Sequence, residues 1–157
     1  MASEIQAPHK FEKKSNVTYV FLAGSVEMGV AQNWQQEIID FFKNDDRVCF
    51  LNPRRDDWDS SWKQSIDDPQ FKEQVEWELS SLERSDMIVM YFDPNTKSPI
   101  SMMEFGIYCM SKKMTVCCPE GFWRKGNVDV VCERYNTPTA CSMLALKYAI
   151  KYKIETS

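Results

Sequence analysis

The run "VTYVFLAG", Val17 to Gly24, is apolar almost without interruption and closes on a glycine. A strand with one wet face alternates apolar and polar residues. A run of this kind instead belongs to a strand covered on both faces, as in a parallel sheet between helical layers. Working outward, "VAQNWQQEIIDFFK" places apolar residues at 30, 34, 38, 41 and 42, a helical spacing. "RVCFLNP" is a second strand, stopped by Pro53, and "RRDDWDSSWKQSIDD" (54–68) is a polar, aromatic loop. "PQFKEQVEWELSSLERS" opens with proline, a favoured first helical residue, and keeps Phe71, Val75, Leu79 and Leu82 in register. "DMIVMYF" is a third buried strand, a helix begins near Ser98, and "MTVCCP" is a fourth strand. A short helix around "GNVDVVCERYN", an extended piece "TPTA" and a closing helix through "CSMLALKYAIKY" complete the chain. Short strands alternating with helices imply crossover connections, hence a single doubly wound α/β domain with a parallel sheet of about five strands. The common strand order for this class is 2-1-3-4-5, with the switch point between the first and third strands counted from Val17.

Composition narrows the field. The 157 residues are 43% apolar and 27% charged, an ordinary globular balance for one domain. A net charge of -4 argues against a basic nucleic-acid-binding surface. No apolar run approaches the roughly 20 residues of a membrane span. The segment "MASEIQAPHKFEKKSN" is polar, lacks the core of a signal peptide and reads as a flexible tail over 1–16, with a second short tail over 153–157. The domain proper is then 17–152, and a cytoplasmic location is expected. Six cysteines without metal-ligand spacing, two of them adjacent at 117 and 118, read as reduced thiols. The single histidine, His9, lies in the tail, which excludes a Ser/His/Asp triad.

In doubly wound sheets ligands bind beyond the carboxyl ends of the strands at the switch point. Two segments lie there: "LAGSVEMG" after the first strand and "DPNTKSPISMMEFG" after the third. The first has small residues, Gly24 and Ser25, that admit a ligand close to the backbone, or that simply make a tight turn. It matches neither a dinucleotide fingerprint nor a P-loop. In the second, Glu104 stands among Ile100, Met103, Ile107 and Met110, which would face the core of an ordinary helix. Glu104 is either a functional acid in the crevice or the last member of a capping box from Ser101; a cap at Ser98 with Pro99 would favour the former. Glu78 is a second acid near the cleft or a solvated helix residue. Asp93 is a third candidate or a turn residue before Pro94. The loop residues Arg55, Asp57 and Trp58, with Arg54, suit a flat ligand or a phosphate, or else an exposed charged surface.

The order "FLAGSVEMG…WQQEI", "NPRRDDWD", "QVEWELSSLERSDMIVMYF", "SPISMMEFG", "RKGNVDVVC" resembles the nucleoside 2-deoxyribosyltransferase family, specifically its nucleoside 2-deoxyribosyltransferase-like branch, from about Val17 to Tyr152. The resemblance implies a flavodoxin-like, Rossmann-like sheet. It implies a homo-oligomer whose subunits complete each other's sites, and a pentosyltransferase of nucleotide salvage. By that likeness "MMEFG" carries the nucleophile at Glu104, and Glu78 falls where the family holds an acid near the nucleobase. Gly24 and Ser25 line the sugar side, and Asn127 in "GNVD" is lent to the adjoining subunit. Two positions depart from the pattern: Ser98 stands where many members hold an aspartate, with Asp93 a possible substitute, and Val20 where a tyrosine is common.

The implied reaction cleaves the N-glycosidic bond of a 2'-deoxynucleoside and passes the sugar to a second free nucleobase. It goes through a covalent Glu104 intermediate with retention, and no metal or organic cofactor is needed. Two alternatives keep the same pocket: an N-glycosidase in which water resolves the intermediate, and a nucleotide-binding module with little catalysis. Neither nucleic acid nor membrane is an expected partner.

Overall fold

Every residue of Thr18–Gly24 is buried, as the apolar run requires. The computed structural model of the protein describes residues 2–26, 31–55 and 61–157. In chain order the elements are β1 (Ser3–Gln6), β2 (Thr18–Gly24), α1 (Trp34–Phe41), β3 (Val48–Asn52), α2 (Pro69–Arg84), β4 (Met87–Tyr91), α3 (Pro99–Tyr108), β5 (Met114–Cys117), α4 (Lys125–Tyr135) and α5 (Met143–Glu155). The strands form one parallel sheet in the order β1-β3-β2-β4-β5. This is the doubly wound, flavodoxin-like arrangement expected, with the chain reversing direction across the sheet between β2 and β4.

Local chemistry sets the helix starts. Asp68 caps α2 by accepting from the backbone N–H groups of Gln70 and Phe71, with Pro69 at the first helical position. Asn33 and Ser142 cap α1 and α5 in the same way. Each such cap contributes on the order of 1 kcal/mol. One face of the sheet is covered by α1 and α5, through Trp34, Ile38, Phe42, Leu146 and Ile150. The other is covered by α2, α3 and α4, through Trp77, Leu82, Phe105 and Val128, with Phe122 from the turn before α4. Among the described residues no helix is long and apolar enough to cross a membrane.

Three expectations need correction. The stretch read as a flexible tail over 1–16 contains β1, whose residues Ser3 to Gln6 pair with Cys49 to Asn52. The tail is tied down further by the indole N–H of Trp77 donating to the His9 carbonyl at 2.7 Å and by Phe11 stacking on Tyr19. A four-residue edge strand reading "SEIQ" is half wet and too short for periodicity to register. At the other end α5 continues past Tyr152 and buries Ile154. The piece "TPTA" joins the sheet only through one parallel bridge, Val116 with Thr139, so the fifth strand lies at the opposite edge from the one expected.

Candidate active site

Gly24 ends β2 opposite Tyr91 of β4 with φ 135°. A β-carbon there would lie 2.1 Å from the Tyr91 carbonyl oxygen, so the two strand ends approach as closely as only glycine permits. The next residue, Ser25, turns its hydroxyl inward. Its Oγ accepts from the backbone N–H of Asp93 at 2.8 Å and lies 2.9 Å from Thr96 Oγ1 and 2.6 Å from Ser98 Oγ. Thr96 Oγ1 and Ser98 Oγ are 2.7 Å apart, which closes a buried triangle of hydroxyls. Ser98 occupies the position before α3 in a left-handed conformation (φ 47°, ψ 56°) and does not cap the helix with its side chain. A non-glycine residue in that region is held there by its surroundings. Here the hydroxyl triangle and the turn into Pro99 do so. The helix nevertheless starts where the sequence placed it.

Helix α3 is turned the opposite way from its apolar pattern. Ile100, Met103, Ile107 and Met110 are exposed, whereas Ser101, Glu104 and Phe105 face inward. Glu104 is only 6% exposed and sits one and a half turns past Pro99, beyond the first-turn amides that a capping glutamate serves. Glu78 of α2 is near enough for the Glu104 charge to act on it. Burial pushes the Glu104 carboxyl well above the usual carboxylate range. Glu78 is pushed up as well, by burial first and by the charge of Glu104 second, while a hydrogen bond from Gln74 opposes the shift. Two carboxyls in one desolvated space cannot both ionise readily, so the pair retains a proton to higher pH than either would alone.

Gln74, one turn before Glu78, was not singled out by the sequence. Its Nε2 donates to the Pro53 carbonyl at 3.1 Å, and its Oε1 accepts from Arg55 Nη1 at 3.3 Å. It therefore joins the end of β3 to the carboxylate helix. Its i−4 position on the Glu78 face was the available signal. Thr96, the second residue missed, lies between the predicted Asp93 and Ser98.

The remaining predicted residues separate. Arg55 lies beside Gln74, its guanidinium 4.9 Å from the Trp62 ring centre. Asp93 is buried with both carboxylate oxygens on backbone amides, Oδ2 on Gln32 N–H at 3.0 Å and Oδ1 on Asn95 N–H at 2.9 Å. That use is a tie between the loops after β2 and β4. Asn127 is exposed on α4. Asp57 and Trp58 lie outside the described residues.

A parallel α/β sheet with two interacting acids beside its switch point has the layout of the small-ligand-binding doubly wound domains. The sequence matches the family described as nucleoside 2-deoxyribosyltransferase like over residues 17–122, more than half of the chain, and the protein belongs to that family. A search of curated proteins found no match.

Proposed function

We propose that the protein transfers 2-deoxyribose between nucleobases, with Glu104 as nucleophile and Glu78 as the acid and base. The supporting observation is that buried Glu104 and half-buried Glu78 lie close enough to interact and are both raised above the usual carboxylate range, so that a carboxylate and a proton can be held side by side. A Glu104 oxygen bonds to C1' of the deoxynucleoside as the C1'–N bond breaks. The bonding pair leaves with the base nitrogen, which takes the proton of Glu78. The cation-like sugar between these events is stabilised by the anionic Glu104. An acceptor base then loses its N–H proton to Glu78 as its nitrogen bonds to C1', releasing Glu104 and giving net retention. Gln74 orients Glu78, and Gly24 opens the strand ends to the sugar. Asp93 holds the loops rather than the leaving base. Asn127 is assigned to a neighbouring copy's site.

The hydrogen bond from Arg55 to Gln74, one turn before Glu78 on the same helix, favours a second reading in which a 5'-phosphate is gripped and water resolves the intermediate. Incubation with a deoxynucleoside and with its 5'-monophosphate, each with and without a second free base, separates the two. A new deoxynucleoside is expected. Free deoxyribose alone would establish the hydrolase, and unchanged substrate would contradict both. A ribonucleoside is expected to react at least about a hundredfold more slowly, ~2.7 kcal/mol of barrier, because a 2'-hydroxyl destabilises the cation-like state.

A further inference from the structure

We propose that Asn52, at the end of β3, is a positioning residue through which the N-terminal segment sets the carboxylate helix α2 in place. The proposal deepens the reaction given above and rests on its use of Glu78. Asn52 is 3% exposed and uses both ends of its side-chain amide. Its Nδ2 donates to Glu4 Oε2 at 2.7 Å, and its Oδ1 accepts from the backbone N–H of Arg54 at 3.0 Å. Its carbonyl accepts from the N–H of Ala7 at 3.0 Å, just past the last register pair of the edge strand, Gln6 with Asn52. β1 is therefore bonded to a residue whose side chain also fixes the turn into Pro53, Arg54 and Arg55.

From that turn the connection continues into α2. The Pro53 carbonyl accepts from Gln74 Nε2 at 3.1 Å, Arg55 Nη1 donates to Gln74 Oε1 at 3.3 Å, and Gln74 hydrogen-bonds Glu78 one turn on. A second route reaches the same helix. The indole N–H of buried Trp77 donates to the His9 carbonyl. Arg84 Nη2 donates to the Phe11 carbonyl at 3.1 Å, and its guanidinium lies 4.3 Å from the Phe11 ring centre. The segment thus grips α2 at Trp77, beside Glu78, and again about two turns later at Arg84.

Packing alone does not ask for this arrangement. A buried amide at a strand end costs free energy unless both its ends are satisfied, and an apolar side chain would fill the site without that cost. Asn52 is satisfied by an exposed carboxylate from the sheet edge, a charge-assisted bond and so a stronger one. What the bond fixes is the turn that holds Gln74, and through Gln74 the carboxyl of Glu78. An acid that must meet a leaving nitrogen works only within about half an ångström of the right place. A small shift of α2 therefore falls on the chemical step before it falls on binding. Residues 3–11 lie outside the matched residues 17–122, so they add a hold on α2 that the matched part does not contain.

Asn52→Asp sets two carboxylates against each other and removes the donor. At unchanged circular dichroism it is expected to lower kcat for a deoxynucleoside at least about tenfold, with KM little changed. The double variant Glu4→Gln/Asn52→Asp reverses the direction of the same bond and is expected to recover most of the loss. Ile38→Ala, in the opposite layer, is expected to keep the wild-type kcat in native buffer, so lost stability alone does not imitate the effect. Should Asn52→Asp fail to fold, Glu4→Ala at an exposed edge position breaks the bond instead, with the same loss expected. Amide deuterium exchange of the ligand-free chain reads the link without turnover. The peptide holding Trp77 and Glu78 is expected to exchange faster in the single variants and as the wild type does in the double. Wild-type exchange or wild-type kcat in folded single variants, or a double variant that does not recover, would overturn the proposal. A wild type that turns over no deoxynucleoside would strike the reaction above, and the exchange result would then decide the link alone.

Discussion

The two helical layers of this domain use the same sheet in opposite ways. On the α1–α5 side, the inward faces are mainly apolar and aromatic, with Trp34 and Ile38 from α1, Phe42 at its end, and Leu146, Ile150 and Ile154 from α5; the one buried amide on α1 among the described residues is Gln35. Their periodicity, their burial and their contribution to stability coincide. On the α2–α3 side, the inward faces include Gln74, Ser81, Ser101 and Glu104, while Ile100, Met103, Ile107 and Met110 are turned outward. Burying carboxyls and amides costs free energy that an apolar face would not. The α2–α3 layer carries more of that cost, and it includes the two interacting carboxyls that the proposed reaction uses.

The largest expected effect falls on the α3 side and on rate. Glu104→Ala should lower turnover by at least about a thousandfold, some 4 kcal/mol of barrier, while leaving the fold intact. A variant keeping a tenth of wild-type turnover would remove Glu104 from the reaction. Next, Ile38→Ala on α1 should cost about 2 to 5 kcal/mol in urea unfolding, because it empties a fully buried site. A loss under 0.5 kcal/mol, the size of an ordinary surface change, would erase the contrast between the layers.

The third prediction has the opposite sign. In the folded protein the glutamate pair holds protons that the unfolded chain releases in the ordinary carboxylate range, about pH 4 to 5. The stability this pair contributes is therefore greatest below that range and is lost as pH rises through the raised folded values. Glu104→Gln should then be more stable than the wild type by about 1 to 3 kcal/mol in mildly alkaline buffer, with the gap closing in acid. Thermal unfolding across pH reads this directly, and a gap independent of pH would mean that the carboxyls do not share a desolvated space. The smallest effect belongs to Ile107→Ser. It should change stability by less than about 0.5 kcal/mol, because Ile107 is exposed, against the much larger cost at Ile38.

The uneven legibility of the sequence follows the same division. The buried strands could be read because a continuous apolar run has one physical use in an alternating chain, and α1 could be read because its apolar residues face the sheet. Helix α3 misled for a physical reason. Hydrophobic spacing groups residues on one face without fixing which way that face turns, and Ile100, Met103, Ile107 and Met110 are exposed. Glu104 stood out as an acid in an apolar setting, yet its burial comes from the opposite helix face. Glu78 was legible only as one acid among several on α2, since no spacing rule joins it to a residue twenty-six positions away. Gln74 and Thr96 went unnoticed because neutral hydrogen-bonding residues leave no periodic trace. The edge strand Ser3–Gln6 was too short and too polar to be seen.

The most direct measurement is rapid acid quench of the protein with a deoxynucleoside and no acceptor base, followed by peptide mass analysis. One deoxyribosyl group is expected on the peptide containing Glu104, removed when a free nucleobase is added before the quench, and absent from Glu104→Gln. Base release without any adduct, or an adduct on another residue, would contradict Glu104 as the nucleophile and with it the proposed use of the buried pair.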